Sequence, residues 1–258
     1  MLARRDGRAF ECVVVDLNTQ RDFCEPGGAC PVTNLPVLVP ALRRVIAWAK
    51  RNETPIISSV QSHRLWEVPA DGQRGLCCLD GTHGQRKLDF TLFPTRECVD
   101  VDNTLAVPPD LFRDCQQVIF RKRTDDLLTN PKADRFLSHL AADEFIVFGN
   151  GIECSVKALT LALLTRGKPV TVIVDASGYW DVSTADLALR QIAAKGARLI
   201  TLDELALRRL DRKIRYPHHR NGRNGHHPNG AKLNGHTRGT VSSALPDFTS
   251  PHKLTEWD

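Results

Sequence analysis

VVVDLNTQRDF (residues 13–23) opens with a run of valines and passes straight into a polar, charged turn. An apolar run of strand length with no polar alternation is what a strand covered on both faces requires. In a parallel sheet the active site lies outside the carboxyl ends of the strands. Asp16, Asn18, Gln20, Asp22 and Phe23 are therefore the first side chains to weigh for chemistry. The turn lacks the Gly-x-Gly-x-x-Gly pattern, which disfavours a dinucleotide-binding dehydrogenase.

The same pattern recurs along the chain. Strand-like segments are expected at residues 11–16, 55–60, 118–121, 145–148, 170–174 and 198–200, several of them rich in Val and Ile. Helical periodicity fills residues 38–51, 132–140, 155–166 and 184–195, with Gly167 and Gly196 placed where C-terminal caps are favoured. Ser183 and Thr184 offer an N-cap for the last of these helices. Repeated strand–helix–strand units predict a Rossmann-like three-layer α/β/α domain with a six-stranded, mainly parallel sheet. Residues 67–103 read as one long loop, a length that suggests a lid or a site wall.

Composition sets the outer limits. Hydrophobic residues make up 41% of the 258, ordinary for a globular chain. MLARRDGRAFEC has no apolar signal core, and no run of eighteen apolar residues follows, so neither a secretory signal nor a membrane partner is expected. The eight cysteines are scattered through a chain too long to need a disulfide framework, which points to reduced thiols and a cytoplasmic protein. From Arg208 onward there are ten Lys/Arg and four Asp/Glu, a local +6 against +5 for the whole chain. The body is thus near neutral, and its charge gives no reason to expect a nucleic-acid-binding domain. The expected division is a flexible N-terminus (1–10), a folded domain (11–210) and a disordered basic His/Asn/Gly-rich tail (211–258).

Three stretches taken together, VVVDLNTQRDF, VIFRK (residues 118–122) and GNGIECSVKA (residues 149–158), resemble the isochorismatase-like cysteine hydrolases, which include nicotinamidases and isochorismatases. The resemblance spans about residues 11–205 and implies the same three-layer fold, a small-molecule substrate and a homo-oligomer. It places Lys122 on the family's catalytic lysine, with the EPGGACPV stretch as its Gly-Gly turn. Aligned on Gln20, Asp22 and Phe23, the family's general-base aspartate falls on Asn18, whose amide is not basic. Asp16 stands two residues earlier, on the same strand face by the period of two. It is either a substitute acid or base, or a carboxylate that only hydrogen-bonds at the strand end.

The nucleophile position has the same ambiguity. Aligned without gaps on Gly149, Glu153, Lys157 and Gly167, the family's cysteine falls on Ser155, with Cys154 one residue before it. The glycine-rich turn Gly149-Asn150-Gly151 leads into it. A thiol at a helix start beside a lysine ionises readily, whereas a serine needs a base. Cys154 is accordingly the candidate nucleophile, and a small buried apolar residue is its alternative role. In the family's metal corner, Gln61 stands for an aspartate and Cys77 for a histidine, beside His63. No cofactor is expected, with a zinc ion on His63 and Cys77 as the alternative.

Two readings result. One is a divergent hydrolase of a small amide or enol ether, using Lys122, Asp16 and Cys154. The other is a catalytically inactive member that keeps the pocket for binding or assembly. Nucleic acid enters only as a weak contact through the tail, and would show as binding that falls steeply with salt.

Overall fold

The computed structural model describes residues 10–67, 76–102 and 111–208. The tail expected at 211–258 and nearly all of the expected N-terminal segment lie outside these residues. In chain order the elements are β1 (Val13–Leu17), α1 (Arg21–Cys24), α2 (Leu35–Arg51), β2 (Ile56–Gln61), β3 (Arg96–Val99), α3 (Leu111–Asp114), β4 (Gln117–Lys122), α4 (Pro131–His139), β5 (Phe145–Asn150), a π-helical turn (Ile152–Val156), α5 (Lys157–Thr165), β6 (Val170–Gly178), α6 (Val182–Ala194), β7 (Arg198–Ile200) and α7 (Leu202–Leu207). No helix of the described residues is long and apolar enough to cross a membrane.

Seven strands form one sheet in the order β3-β4-β2-β1-β5-β6-β7, and every pairing is parallel. The sheet thus has one strand more than expected. The addition is β3, an edge strand whose RECV sequence is largely exposed and carries no apolar signature. It lies within the stretch read as a single loop. At the start of α6 the cap is Asp181, whose carboxylate accepts from Thr184 N at 2.7 Å, rather than Ser183 or Thr184. Gly167 and Gly196 do adopt left-handed backbone, with φ of +69° and +100°.

The two faces of the sheet build separate cores. Val13, Val15, Leu17, Ile57, Val118, Phe120 and Val147 point toward the side covered by α3, α4, α5 and α6. Val14, Ile56, Ile146, Phe148 and Ile173 point toward α2 and α7. Helix α2 buries Leu38, Leu42, Val45 and Ile46 on that second face. Truncating one such leucine to alanine costs about 2–5 kcal/mol. This division into faces decides the site, because each polar side chain at a strand end belongs to one face or the other.

The topology also locates the site. The chain passes from β1 to β2 on one side, and after β4 it crosses to β5 on the other side of β1. Ligand crevices form at such switch points, beyond the carboxyl ends of the strands. Strands β1 and β5 approach closely there: a Cβ on Gly149 would sit 2.1 Å from Leu17 O, and the residue has φ +116°. Only glycine fits that position.

Candidate active site

At the end of β1 the chain departs from strand geometry. Asn18 has φ +53°, a left-handed conformation that Asn tolerates better than most residues. Its carbonyl accepts from Gln20 N (2.8 Å) and from the buried Asn150 Nδ2 (2.7 Å), which fixes the turn. Its side chain is equally committed. Nδ2 donates to Ser155 Oγ at 2.9 Å and, more weakly, to Asn150 O at 3.4 Å, while Ser59 Oγ donates to Oδ1 at 3.0 Å. The carbonyl of Asn150 can only accept, so the amide nitrogen must face the serine. Asn18 offers Ser155 a proton and cannot take one.

Asp16 does not share this surroundings. Its Oδ2 accepts from Lys87 Nζ (2.7 Å), Ser58 Oγ (3.1 Å) and Thr19 Oγ1 (3.2 Å), in a fully buried ion pair on the α2 face of the sheet. The expected common face of Asp16 and Asn18 is therefore corrected. The left-handed residue breaks the two-residue alternation, and Asn18 turns toward the face of Ser59, Gln61 and Lys122.

Lys122 ends β4 and is wholly buried. Its Nζ donates to Asp125 O (2.5 Å) and to Ser155 Oγ (3.1 Å). Burial draws the amine down to about 8, partly opposed by the nearby carboxylate of Asp125. Lys122, Asn18 and Ser155 thus meet at one oxygen atom. Ser155 sits in the π-helical turn that precedes α5, where the positive end of the helix favours a developing negative charge.

Cys154 borders the same point without taking the serine's place. Its Sγ is 3.9 Å from Ser155 Oγ and lies over Gly151, where a Cβ would come within 2.6 Å of the sulfur. Beside it is an aromatic wall. Trp180, delivered by the end of β6, meets Phe23 edge to face with ring centroids 5.4 Å apart. Glu153 Oε1 accepts from Trp180 N at 2.7 Å and ties that wall to the π-helical turn. Gln20 is a staple rather than a free pocket group. It donates to Gln61 O and Gln85 O and accepts from Gln61 N, each at 2.8 Å. Trp180 and Lys87 were absent from the sequence reading. Trp180 follows a strand end, so the rule that found Asn18 would also have found it; nothing local marks Lys87.

The donors of the metal corner do not fit a metal ion. Gln61 is neutral and gives its Nε2 to Asp125 Oδ1 at 2.6 Å. Asp80 is occupied by Arg123 (2.8 Å), Gln85 (2.8 Å) and the Ser62 hydroxyl. The Cys78 thiol is pushed well above its ordinary range, first by its contact with Cys77 and then by burial. Among the described residues no three His, Cys, Asp or Glu side chains gather to hold a metal.

A model of the isochorismatase domain family matches residues 12–204. The chain is 28% identical over 205 residues to a nicotinamidase of Escherichia coli (strain K12), covering 74% of this chain and 93% of that protein. Its fold is similar to that of the Pyrococcus horikoshii pyrazinamidase solved in complex with zinc, at a TM-score of 0.59 and 20% identity, covering 74% of this chain and 99% of that one. It is also similar to the N-carbamoylsarcosine amidase of Thermoplasma acidophilum, at a TM-score of 0.57 and 17% identity, covering 75% and 98%.

Proposed function

This chain belongs to the isochorismatase family of hydrolases, and from that premise we propose that it hydrolyses a small amide with Ser155 as nucleophile and Lys122 as general base. The observation that carries the reading is the 3.1 Å contact between Lys122 Nζ and Ser155 Oγ. A lysine held near 8 has a substantial neutral fraction at physiological pH. In that form the contact reverses, and the Ser155 hydroxyl donates to the amine lone pair. Serine–lysine pairs are an established variant of the nucleophile–base arrangement.

The roles of the remaining residues follow from their bonds. As Ser155 attacks the carbonyl carbon, its proton passes to Lys122, and Asn18 Nδ2 steadies the oxygen until the C–O bond forms. The Lys122 ammonium then protonates the departing amine. Water, deprotonated by the same lysine, releases the acyl group as a carboxylic acid and restores Ser155. An ammonium of this strength is a weak acid for protonating carbon, which favours an amide over an enol ether. The Trp180 ring, which lies by Gly151 and is backed edge-on by the buried Phe23, would supply the apolar surface for the acyl group. Asp16 takes no part, and Cys154 borders the nucleophile instead of acting as one.

A binding pocket without turnover is the second reading, favoured by the two donors, Asn18 and Lys122, aimed at one oxygen to which no carboxylate is hydrogen-bonded among the described residues. Fluorophosphonate and iodoacetamide labelling of the full chain, with mass-spectrometric location of each adduct and a panel of small amides, separates the readings. Phosphonylation of Ser155 that disappears in Lys122→Met, together with amide turnover, supports the serine hydrolase. Turnover lost in Cys154→Ala but kept in Ser155→Ala returns the role to the thiol. Neither label nor turnover, with saturable binding of small carboxylates, leaves the binding pocket.

A further inference from the structure

Gln61 and Lys122 are paired residues in the parallel register of β2 and β4. They stand side by side on one face, and both reach the same residue of the following loop. Gln61 Nε2 donates to Asp125 Oδ1 at 2.6 Å, and Lys122 Nζ donates to Asp125 O at 2.5 Å. The backbone closes the ring, because Ser62 N donates to Lys122 O at 2.9 Å. The ends of the two strands are thus joined through a single loop residue.

We propose that Gln61 and Asp125 form a clasp that holds the Asp125 carbonyl and carboxylate at Lys122 and so sets the pH at which this amine exchanges its proton with Ser155. Gln61 is then a positioning residue that acts through Asp125. The inference rests on the Ser155–Lys122 reading for its purpose, though not for its geometry.

The physical argument is a balance of two opposed effects. Complete burial disfavours the ammonium. The Asp125 carboxylate favours it, helped by Asp126 on the same loop; Cys154 from the π-helical turn and Cys78 from the segment before Gly81 also face the amine, and each would favour the ammonium only as a thiolate. Of these, Asp125 has the largest opposing influence, and it is the one tied down by a side chain from another strand. The clasp requires that losing the Gln61 bond loosens the carboxylate from the amine and so weakens its influence on Lys122.

The test is a titration that requires no substrate. The full chain is labelled with [ε-13C]lysine, and the Lys122 signal is assigned by its loss in Lys122→Arg. Its midpoint is then compared in the native chain, Asp125→Asn and Gln61→Leu. The clasp predicts a midpoint lower by about one pH unit in Asp125→Asn, the usual effect of removing an opposite charge at this range. A smaller fall is expected in Gln61→Leu. Folding is checked by circular dichroism, and if Asp125→Asn does not fold, Gln61→Leu is read alone. A midpoint unchanged in the folded variants overturns the proposal. Shifted midpoints in a chain that never labels at Ser155 would remove the hydrolase reading and leave the clasp intact.

Discussion

Asp16 and Asn18 are two residues apart but are held by opposite faces of the sheet: Ser58 donates to Asp16 and its neighbour Ser59 donates to Asn18. Successive residues of β2 point to opposite sides, so each serine reports the face its partner has joined. The carboxylate that could have served as a base is thereby committed to Lys87, and an amide stands at Ser155 in its place. On the proposed reading the base is Lys122, the buried group in reach of that hydroxyl.

Removing either member of the Ser155–Lys122 pair should abolish the chemistry. Ser155→Ala and Lys122→Met are each expected to lower kcat/KM for an amide by about 10²–10⁴-fold. The double variant should be little worse than either single one, since the two residues act as a unit. Steady-state kinetics on the three proteins checks this.

The pH dependence follows from the protonation state required. Lys122 must be neutral to accept the serine proton, and its amine lies at about 8. The pH profile of kcat/KM should therefore rise through about pH 8 and level off above it. A profile that instead falls over that range would mean that the ammonium is the active form.

Stability carries the same signature with its own sign. The folded amine lies near 8 and the ordinary value is 10.5, so between these values unfolding takes up a proton. The native chain should gain stability relative to Lys122→Met as pH rises across that window, and the difference should be flat below it. Urea unfolding of both proteins at a series of pH values measures it. Taking the difference cancels the buried thiols Cys12, Cys24 and Cys115, which burial pushes up to about 12 and which act in the opposite direction.

The Asp16–Lys87 pair should matter for folding and not for the serine. Lys87→Met leaves a carboxylate buried without its cation, a loss of about 3–5 kcal/mol. A large fall in the unfolding midpoint is expected, with phosphonylation of Ser155 retained at temperatures where the variant is folded.

Introducing the residue types that the resemblance implied at these two positions tests whether the turn can hold a carboxylate base. In Asn18→Asp with Ser155→Cys, the carboxylate keeps the Ser59 bond and faces a thiol next to Lys122. Iodoacetamide labelling at position 155 should appear, with amide turnover about 10²-fold above the Ser155→Cys single variant. The acceptor placed opposite Asn150 O works against the gain, and a double variant no better than the single would show that the turn cannot hold a base.

The tail remains a sequence-level expectation, and so do an oligomer and the cytoplasmic placement. Within the body, the positions read from strand ends were legible because each depends on local pattern. VIFRK announced a buried strand ending in lysine, and the spacing from Gly149 to Lys157 pointed to Ser155, the residue whose hydroxyl meets that lysine. Strand β3 was not legible, because an exposed edge strand leaves no hydrophobic trace in its sequence.

By itself, then, the sequence determined a parallel α/β fold, the strands from which the site hangs, and the residue types standing there. The tertiary structure decided which of those residues meet. A left-handed φ at Asn18, fixed by Asn150 from a strand far along the chain, separated it from Asp16. Complete burial turned Lys122 from a fixed cation into a group able to give and take a proton. Gln61 acquired its partner only when β2 and β4 came side by side. Each of these depends on contacts between distant segments and on the exclusion of water, and neither can be read from any one stretch of the chain.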